Sequence, residues 1–452
     1  MKAINPATGD LIRDYAEHSD AEVTEILTEV DAEYQSWQKV PFAERSKLMH
    51  AAARVQRDNA GKYAEIITQE MGKTITESLA EIEKCAWVCD YYADNAEKFL
   101  ADEVIESDAG RSFVAFQPIG TVLAVMPWNF PFWQVMRFAA PALMAGNTGV
   151  LKHASNVPGS ALALEEVFAE AGFPKNAFRT LMIGSRQVEA VIKNPLVKAV
   201  TLTGSEPAGM QVASTAGYEL KKTVLELGGS DPYIVLADAD MPSCVAMSAK
   251  SRMINQGQSC IAAKRFIVVE SRVEEFTKAQ VEIMQNLKVG DPMDPATQVG
   301  PMARRDLMEE LDEQVQRSVK QGAKLLTGGV PDKGPGAFYP PTVLGDVRKG
   351  MAVYNEETFG PVSAIIPVKD TEEAIAVAND SEFGLSGSVW TQDPKKGEEI
   401  ARRVVTGAMF VNGMSKSDPR LPFGGVKKSG YGRELSHYGI REFVNIKSIW
   451  MK

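Results

Sequence analysis

Apolar residues in the first hundred positions recur every three or four residues. Val23, Ile26, Leu27, Val30, Tyr34 and Trp37 share one helical face. Ser19-Asp20-Ala21-Glu22 just before them has the capping-box spacing. Pro41 predicts the first position of a second helix. Tyr63, Ile66 and Ile67 mark a third, ending near Gly72, and Ile75, Leu79, Ile82, Ala86 and Cys89 mark a fourth. All four read as packing elements and suggest no chemistry.

After position 110 the period shortens. Arg111 to Gln117 alternates apolar and polar residues, as a half-exposed strand does. From Thr121, apolar runs alternate with helical ones. TVLAVM precedes a helix after Phe132, VLK at 150 a helix from Pro158, TLMI at 180 a helix from Ser185, and AVTLTG at 199 a helix from about Pro207. A second series starts at Asp231 with PYIVLAD, a helix through Met247, RFIVVE, and a helix through Phe276 and Met284, and alternation continues to Phe410-Val411-Asn412. Strands alternating with helices predict parallel sheets, so the fold class is α/β, with two domains and a cleft between them. Gly328 to Pro341, rich in Gly and Pro, predicts an irregular surface connection.

Composition narrows the class. The 452 residues are 44% apolar and 24% charged, an ordinary globular balance. A formal net charge of −10 without a basic stripe argues against nucleic acid as a partner. Between Gly120 and Leu151 only Arg137 is charged, yet Pro127, Asn129, Pro131, Pro141 and Asn147 interrupt the run, so it reads as buried core and not a membrane span. The start MKAINPATGDLIRDY has no apolar signal core, and four cysteines are too few for a disulfide framework, so a cytoplasmic protein is expected. Cys85 and Cys89 belong to one buried helix face, and no ligand set suggests a metal.

Four stretches carry candidate chemistry. In Asn255-Gln256-Gly257-Gln258-Ser259-Cys260 a thiol follows a bend at Gly257, and a thiolate there would be a strong nucleophile; taken alone, the cysteine reads first as a small buried apolar residue. Thr203-Gly204-Ser205-Glu206-Pro207-Ala208-Gly209 runs from a strand into a helix, where N-terminal N–H groups bind phosphate or are simply capped. Glu226, ending an apolar strand before Gly228-Gly229, suits a general base or an ordinary strand-end carboxylate. Asn129, held between Trp128 and Phe130-Pro131, offers a fixed N–H₂ of the oxyanion-hole kind, or a turn.

Taken together, WNFP at 128, TGS at 203, ELGG at 226 and GQSC at 257 resemble the aldehyde dehydrogenase superfamily in order and context. EETFGPV from Glu356, PFGG from Pro422 and KKSGYGRE ending at Glu434 extend the likeness along nearly the whole chain. The resemblance implies a Rossmann-type cofactor domain from residues 1–100 and 119–227, a catalytic domain from 228–437, and an oligomerisation arm from 101–118 and 438–452. An unpaired arm strand then implies a homodimer or homotetramer.

The same resemblance implies roles. Cys260 is the nucleophile, Asn129 and the Cys260 N–H hold the oxyanion, Glu226 activates water, and Glu434 relays the proton. Lys152 and Ser155 face the adenosine ribose, Gly204, Ser205 and Gly209 the pyrophosphate, Trp128 and Leu227 line the site, and Glu357 and Phe359 meet the nicotinamide ribose. Ser155 stands where NAD-preferring members carry a glutamate, so NADP is expected, with NAD not excluded. Arg137 coincides with an arginine that pairs the distal carboxylate in succinate-semialdehyde dehydrogenases, and Ser417 falls in the substrate loop. That subfamily's second arginine is absent: Ile254 occupies the position, leaving Arg252 as its candidate replacement. A small carboxylated aldehyde is therefore the expected substrate, succinate semialdehyde first. The alternatives are a broad-specificity aldehyde dehydrogenase, a non-catalytic protein, a cysteine esterase or a CoA-acylating enzyme; Glu226 favours water as the acceptor.

Overall fold

The computed structural model describes residues 1–452. Four helices open it: α1 (Asp20–Trp37), α2 (Phe42–Asp58), α3 (Ala60–Met71) and α4 (Ile75–Phe99). The capping box is formed, with Ser19 and Glu22 bonding reciprocally. Pro41 lies one position outside its helix, as the extended residue before Phe42. Gly72 ends α3 in a left-handed conformation (φ 78°) that a side chain would strain.

Five parallel strands form the first sheet, in the order Lys222–Glu226, Val197–Thr203, Thr121–Met126, Thr148–His153, Phe178–Thr180. Pairing stops at Thr180, so most of the apolar run at 180–183 lies beyond the strand. A sixth strand, Gly430–Tyr431, adds antiparallel beside Lys222–Glu226. This late segment comes from within 228–437, so the chain returns to the first sheet before that stretch ends.

The second sheet has seven strands. Thr342–Gly345, Val362–Val368, Ala263–Val269, Asp231–Val235, Ser388–Trp390 and Phe410–Val411 run parallel, and Lys324–Thr327 pairs antiparallel at one edge. Arg111–Pro118 pairs along its length with Val444–Met451, far away in sequence, and with Glu103–Val104, forming a separate three-stranded sheet.

Each large sheet has apolar clusters on both faces, as helix-covered parallel sheets require. Helix α5 (Trp133–Met144) explains the nearly uncharged stretch: all twelve of its residues are buried, at roughly 1.5–3 kcal/mol for each large apolar side chain. Its N-terminus is held by Glu81 of α4, whose Oε1 accepts from the Phe132 and Trp133 N–H groups at 2.9 Å each. Glu77, one turn earlier, accepts from the Asn255 N–H at 2.9 Å. One helix read as packing alone therefore fixes the loops carrying Asn129 and Cys260.

Candidate active site

The nucleophile loop follows the helix Met241–Met253 and is held in an unfavourable backbone conformation. Asn255 (φ 50°), Gln256 (φ 54°) and Gly257 (φ 77°) are all left-handed. Non-glycine residues there cost of order 1–3 kcal/mol each and persist only where the surroundings impose them. A Cβ on Gly257 would lie 2.2 Å from the Gly360 carbonyl oxygen, so no side chain fits.

Several hydrogen bonds impose that shape. Asn129 Nδ2 donates to the Gln258 carbonyl at 3.1 Å, and Asn255 Nδ2 to the Asn129 carbonyl at 2.7 Å. Gln258 Oε1 accepts from the Ala303 N–H at 2.9 Å. Lys264 donates to the Ser259, Cys260 and Ala262 carbonyls, and Arg252 to those of Gly257, Ala263 and Thr358. Arg252 is fully buried and lines neither cavity beside Cys260. The expectation that it replaces a substrate arginine is corrected: its donors are directed to backbone carbonyls beneath the loop.

Cys260 is a free, half-buried thiol and forms part of the wall of two cavities. The larger, about 300 Å³, is bordered by Trp128, Asn129, Gly204, Ser205, Leu227, Glu357 and Phe359. Trp128 meets Phe359 edge to face at 5.8 Å. Glu357 Oε1 accepts from the Gly229 N–H at 3.0 Å and lies 3.3 Å from Lys264 Nζ. The smaller cavity, about 100 Å³, holds Lys84, Trp133, Arg137, Ile254, Ser417 and Phe423 in its wall. Burial pushes the Cys260 thiol up to about 12, against the pull of the Lys264 and Arg137 cations. At neutral pH the resting thiol is protonated, so its attack needs a base.

Glu226 ends its strand opposite Thr203 on one side and Gly430 on the other. Its carboxylate is buried with neither oxygen hydrogen-bonded, and it borders neither cavity. Burial, then the neighbouring Glu434, raises its pKa well above the carboxylate range. Glu434, also raised by burial, is ion-paired with Arg137. Arg137 further donates to Thr203 Oγ1 at 3.3 Å and lies 4.6 Å from the Phe423 ring.

A dinucleotide fits the remaining residues. The helix Glu206–Tyr218 starts after Gly204, and its N-cap Ser205 makes no side-chain capping bond, leaving donors for a phosphate. A Cβ on Gly209 would sit 2.6 Å from Leu227, so glycine allows that helix to pack against the cavity wall. A second cavity of about 360 Å³ lies between this helix and the segment Ser185–Ile192, with Lys152 and Arg186 in its wall. Ser155 is exposed and borders a different cavity with Asn156 and Arg304. Ser155 and Lys152 thus line two cavities, not one. Sequence reasoning missed Lys84, Arg186 and Lys264. Arg186 follows a Gly-Ser break between strand and helix, the one local signal that could have exposed it.

A cavity with a helix start in its wall beside a thiol on this fold fits a nicotinamide-dependent oxidoreductase. A sequence profile of the aldehyde dehydrogenase family matches residues 1–449, and the chain belongs to that family. It is 51% identical over 451 residues to a probable NADP⁺ succinate-semialdehyde dehydrogenase of Synechocystis sp., covering 100% of this chain and 99% of that one. An NADP⁺ succinate-semialdehyde dehydrogenase of Mycobacterium avium is 50% identical, with 100% and 96% covered. The crystal structure of succinic semialdehyde dehydrogenase from Streptococcus pyogenes with NADP⁺ superposes with a TM-score of 0.98 at 40% identity, covering 100% of this chain and 99% of that one.

Proposed function

We propose that this chain oxidises succinate semialdehyde, or a similarly small carboxylated aldehyde, to the carboxylate with NADP as the hydride acceptor. The observation that carries the reading is the position of Cys260 in the wall of both cavities, one shaped for a dinucleotide and one lined by cations.

Cys260 gives up its proton to water in the cavity, its thiolate adds to the aldehyde carbon, and the alkoxide formed is met by the Cys260 N–H and by the Asn129 Nδ2 hydrogen not bonded to Gln258. A nicotinamide bound beside Cys260 would supply the hydride acceptor for this thiohemiacetal. Gly204, Ser205 and the helix start would hold its pyrophosphate, and Glu357, fixed by Lys264, would hold a ribose. Glu226 takes the proton of the water that attacks the thioester, after its side chain turns from its buried position towards the cavity. Glu434 receives that proton next, with Arg137 fixing its position.

The curated relatives of Synechocystis and M. avium are named for NADP⁺, and the residues here agree with that choice. Lys152 and Arg186 put two cations in one cavity wall, and Ser155, three residues beyond Lys152, places a hydroxyl and no carboxylate where a ribose 2′-phosphate would be repelled by one. The strand Val444–Met451 ends its sheet with Ile446, Trp450 and Met451 exposed, which supports at least a homodimer built across that edge. No helix is long and apolar enough to cross a membrane, and all four cysteines are unpaired, as in a reducing cytoplasm.

The test is the rate of NADPH formation from succinate semialdehyde by the wild-type chain and by Cys260→Ser. Wild-type turnover that is lost in the variant supports the reading. An equal rate in the two overturns it.

A further inference from the structure

We propose that Lys84 is the cation that binds the distal carboxylate of the substrate, with the Ser417 hydroxyl beside it. This rests on the carboxylated-aldehyde reading above and names the residue that selects for the charge.

Three cations border the small cavity next to Cys260, and their circumstances differ: Lys416 is exposed to solvent, whereas Arg137 is buried and Lys84 partly so. Arg137 is already ion-paired with Glu434, and its guanidinium also engages Thr203 and the face of Phe423. A substrate carboxylate there would compete with a buried anion for a charge already balanced. Lys84 has no such partner. Its Nζ donates to Ser417 Oγ at 2.6 Å and lies 4.2 Å from the Trp133 ring, and neither contact carries a full negative charge. The neighbouring carboxylate, Asp418, is engaged by both Nε and Nη2 of Arg420, at 2.8 and 2.6 Å.

A partly buried ammonium that no carboxylate touches is an unfavourable arrangement that an anionic ligand relieves. Burial, then the Arg137 cation, lowers the Lys84 pKa to about 8, outweighing the opposing pull of Glu81 and Asp418. An ammonium has three donors, and Ser417 takes one, leaving two for a carboxylate.

Position agrees with the role. Lys84 stands on α4, the helix whose Glu77 and Glu81 already fix the nucleophile loop and the start of α5. Its ammonium is therefore carried on a rigid element. Ile254 faces the same cavity without charge, Arg252 is directed elsewhere and Lys416 is already hydrated at the surface, so Lys84 is the partly buried cation there that no carboxylate touches.

The experiment compares kcat/KM for succinate semialdehyde and for butanal, a neutral aldehyde of equal chain length, in wild type, Lys84→Met and Lys84→Arg. Succinate is added as a competitive inhibitor of butanal oxidation. In Lys84→Met the semialdehyde-to-butanal ratio should fall at least about tenfold and the succinate inhibition constant should rise by a similar factor. Lys84→Arg should recover much of both. An unchanged ratio and inhibition constant in Lys84→Met, with a wild type that prefers the semialdehyde, overturns the assignment while the substrate reading survives. Equal loss on both aldehydes also overturns it, since it makes Lys84 a packing residue. A wild type that does not discriminate between the two aldehydes removes the carboxylated-aldehyde reading itself, and this inference with it.

Discussion

Lys264 Nζ donates to the carbonyl oxygen of Cys260 at 2.8 Å from beneath the nucleophile loop, and the same nitrogen lies 3.3 Å from Glu357 Oε1. One buried cation thus joins the reacting sulfur's own residue to the carboxylate that borders the dinucleotide cavity. Burial raises the Cys260 thiol, and Lys264 is the strongest of the charges opposing that rise. Lys264→Met should slow alkylation of Cys260 by iodoacetamide several-fold at pH 8, because less thiolate is present. It should also raise the KM for NADP, because Glu357 loses its fixed partner. An alkylation rate equal to wild type would show that Lys264 does not support the thiolate.

With Glu226 as the proposed base, its titration should set the pH dependence of thioester hydrolysis. Its pKa is raised by burial and then by Glu434. Below that raised value the carboxyl is protonated and cannot take a proton from water, so kcat should climb with pH through a titration lying above the usual carboxylate pKa of about 4.3. Glu434→Gln removes a neighbouring negative charge, so the climb should move to lower pH. Glu226→Gln should form one NADPH per Cys260 in a rapid burst and then turn over at least about a hundredfold more slowly. Stopped-flow absorbance reads both phases, and a full steady-state rate in Glu226→Gln would remove the residue from the mechanism.

Cofactor choice is predicted to depend on Ser155. A glutamate there would bring a negative charge towards a 2′-phosphate while offering two acceptors to an unmodified ribose. Ser155→Glu should therefore lower kcat/KM for NADP at least about tenfold relative to NAD. Equal changes with the two cofactors would show that the position does not read the phosphate.

The legible part of this site is the part written in local chain grammar. Cys260, Glu226, Asn129 and Gly204-Ser205 all sit at strand ends or turns marked by Gly, Pro or Asn, where backbone needs and chemistry coincide in a few consecutive residues. Lys84 was hidden because α4 has an ordinary packing period, and the Ser417 it bonds lies 333 residues away. The pairing of Glu434 with Arg137 was equally invisible, since each has its own plausible role and only folding brings the charges together. Arg252 was misplaced for a geometric reason. Arg252 lies in the last turn of the helix Met241–Met253, whereas Ile254 follows that helix with ψ 122°, so the chain changes direction between them and only Ile254 lines the cavity.

Its carbonyl contacts make Arg252 a strut, and a strut has its own signature. Its guanidinium is fully buried, its pKa is lowered to about 9 by burial, and it donates to the carbonyls of Gly257, Ala263 and Thr358. Arg252→Met leaves those acceptors without the donor that holds them, at roughly 1–3 kcal/mol for each one left unsatisfied. A lower Tm is expected, along with a lower kcat on every aldehyde, because Gln256 and Gly257 hold their left-handed conformation only under restraint. The semialdehyde-to-butanal ratio should stay at its wild-type value. Lysine should rescue little, since a compact ammonium cannot span three carbonyls as a planar fork does. Thermal denaturation alongside the two-substrate assay checks this: a collapsed ratio at an unchanged Tm would return Arg252 to the substrate pocket.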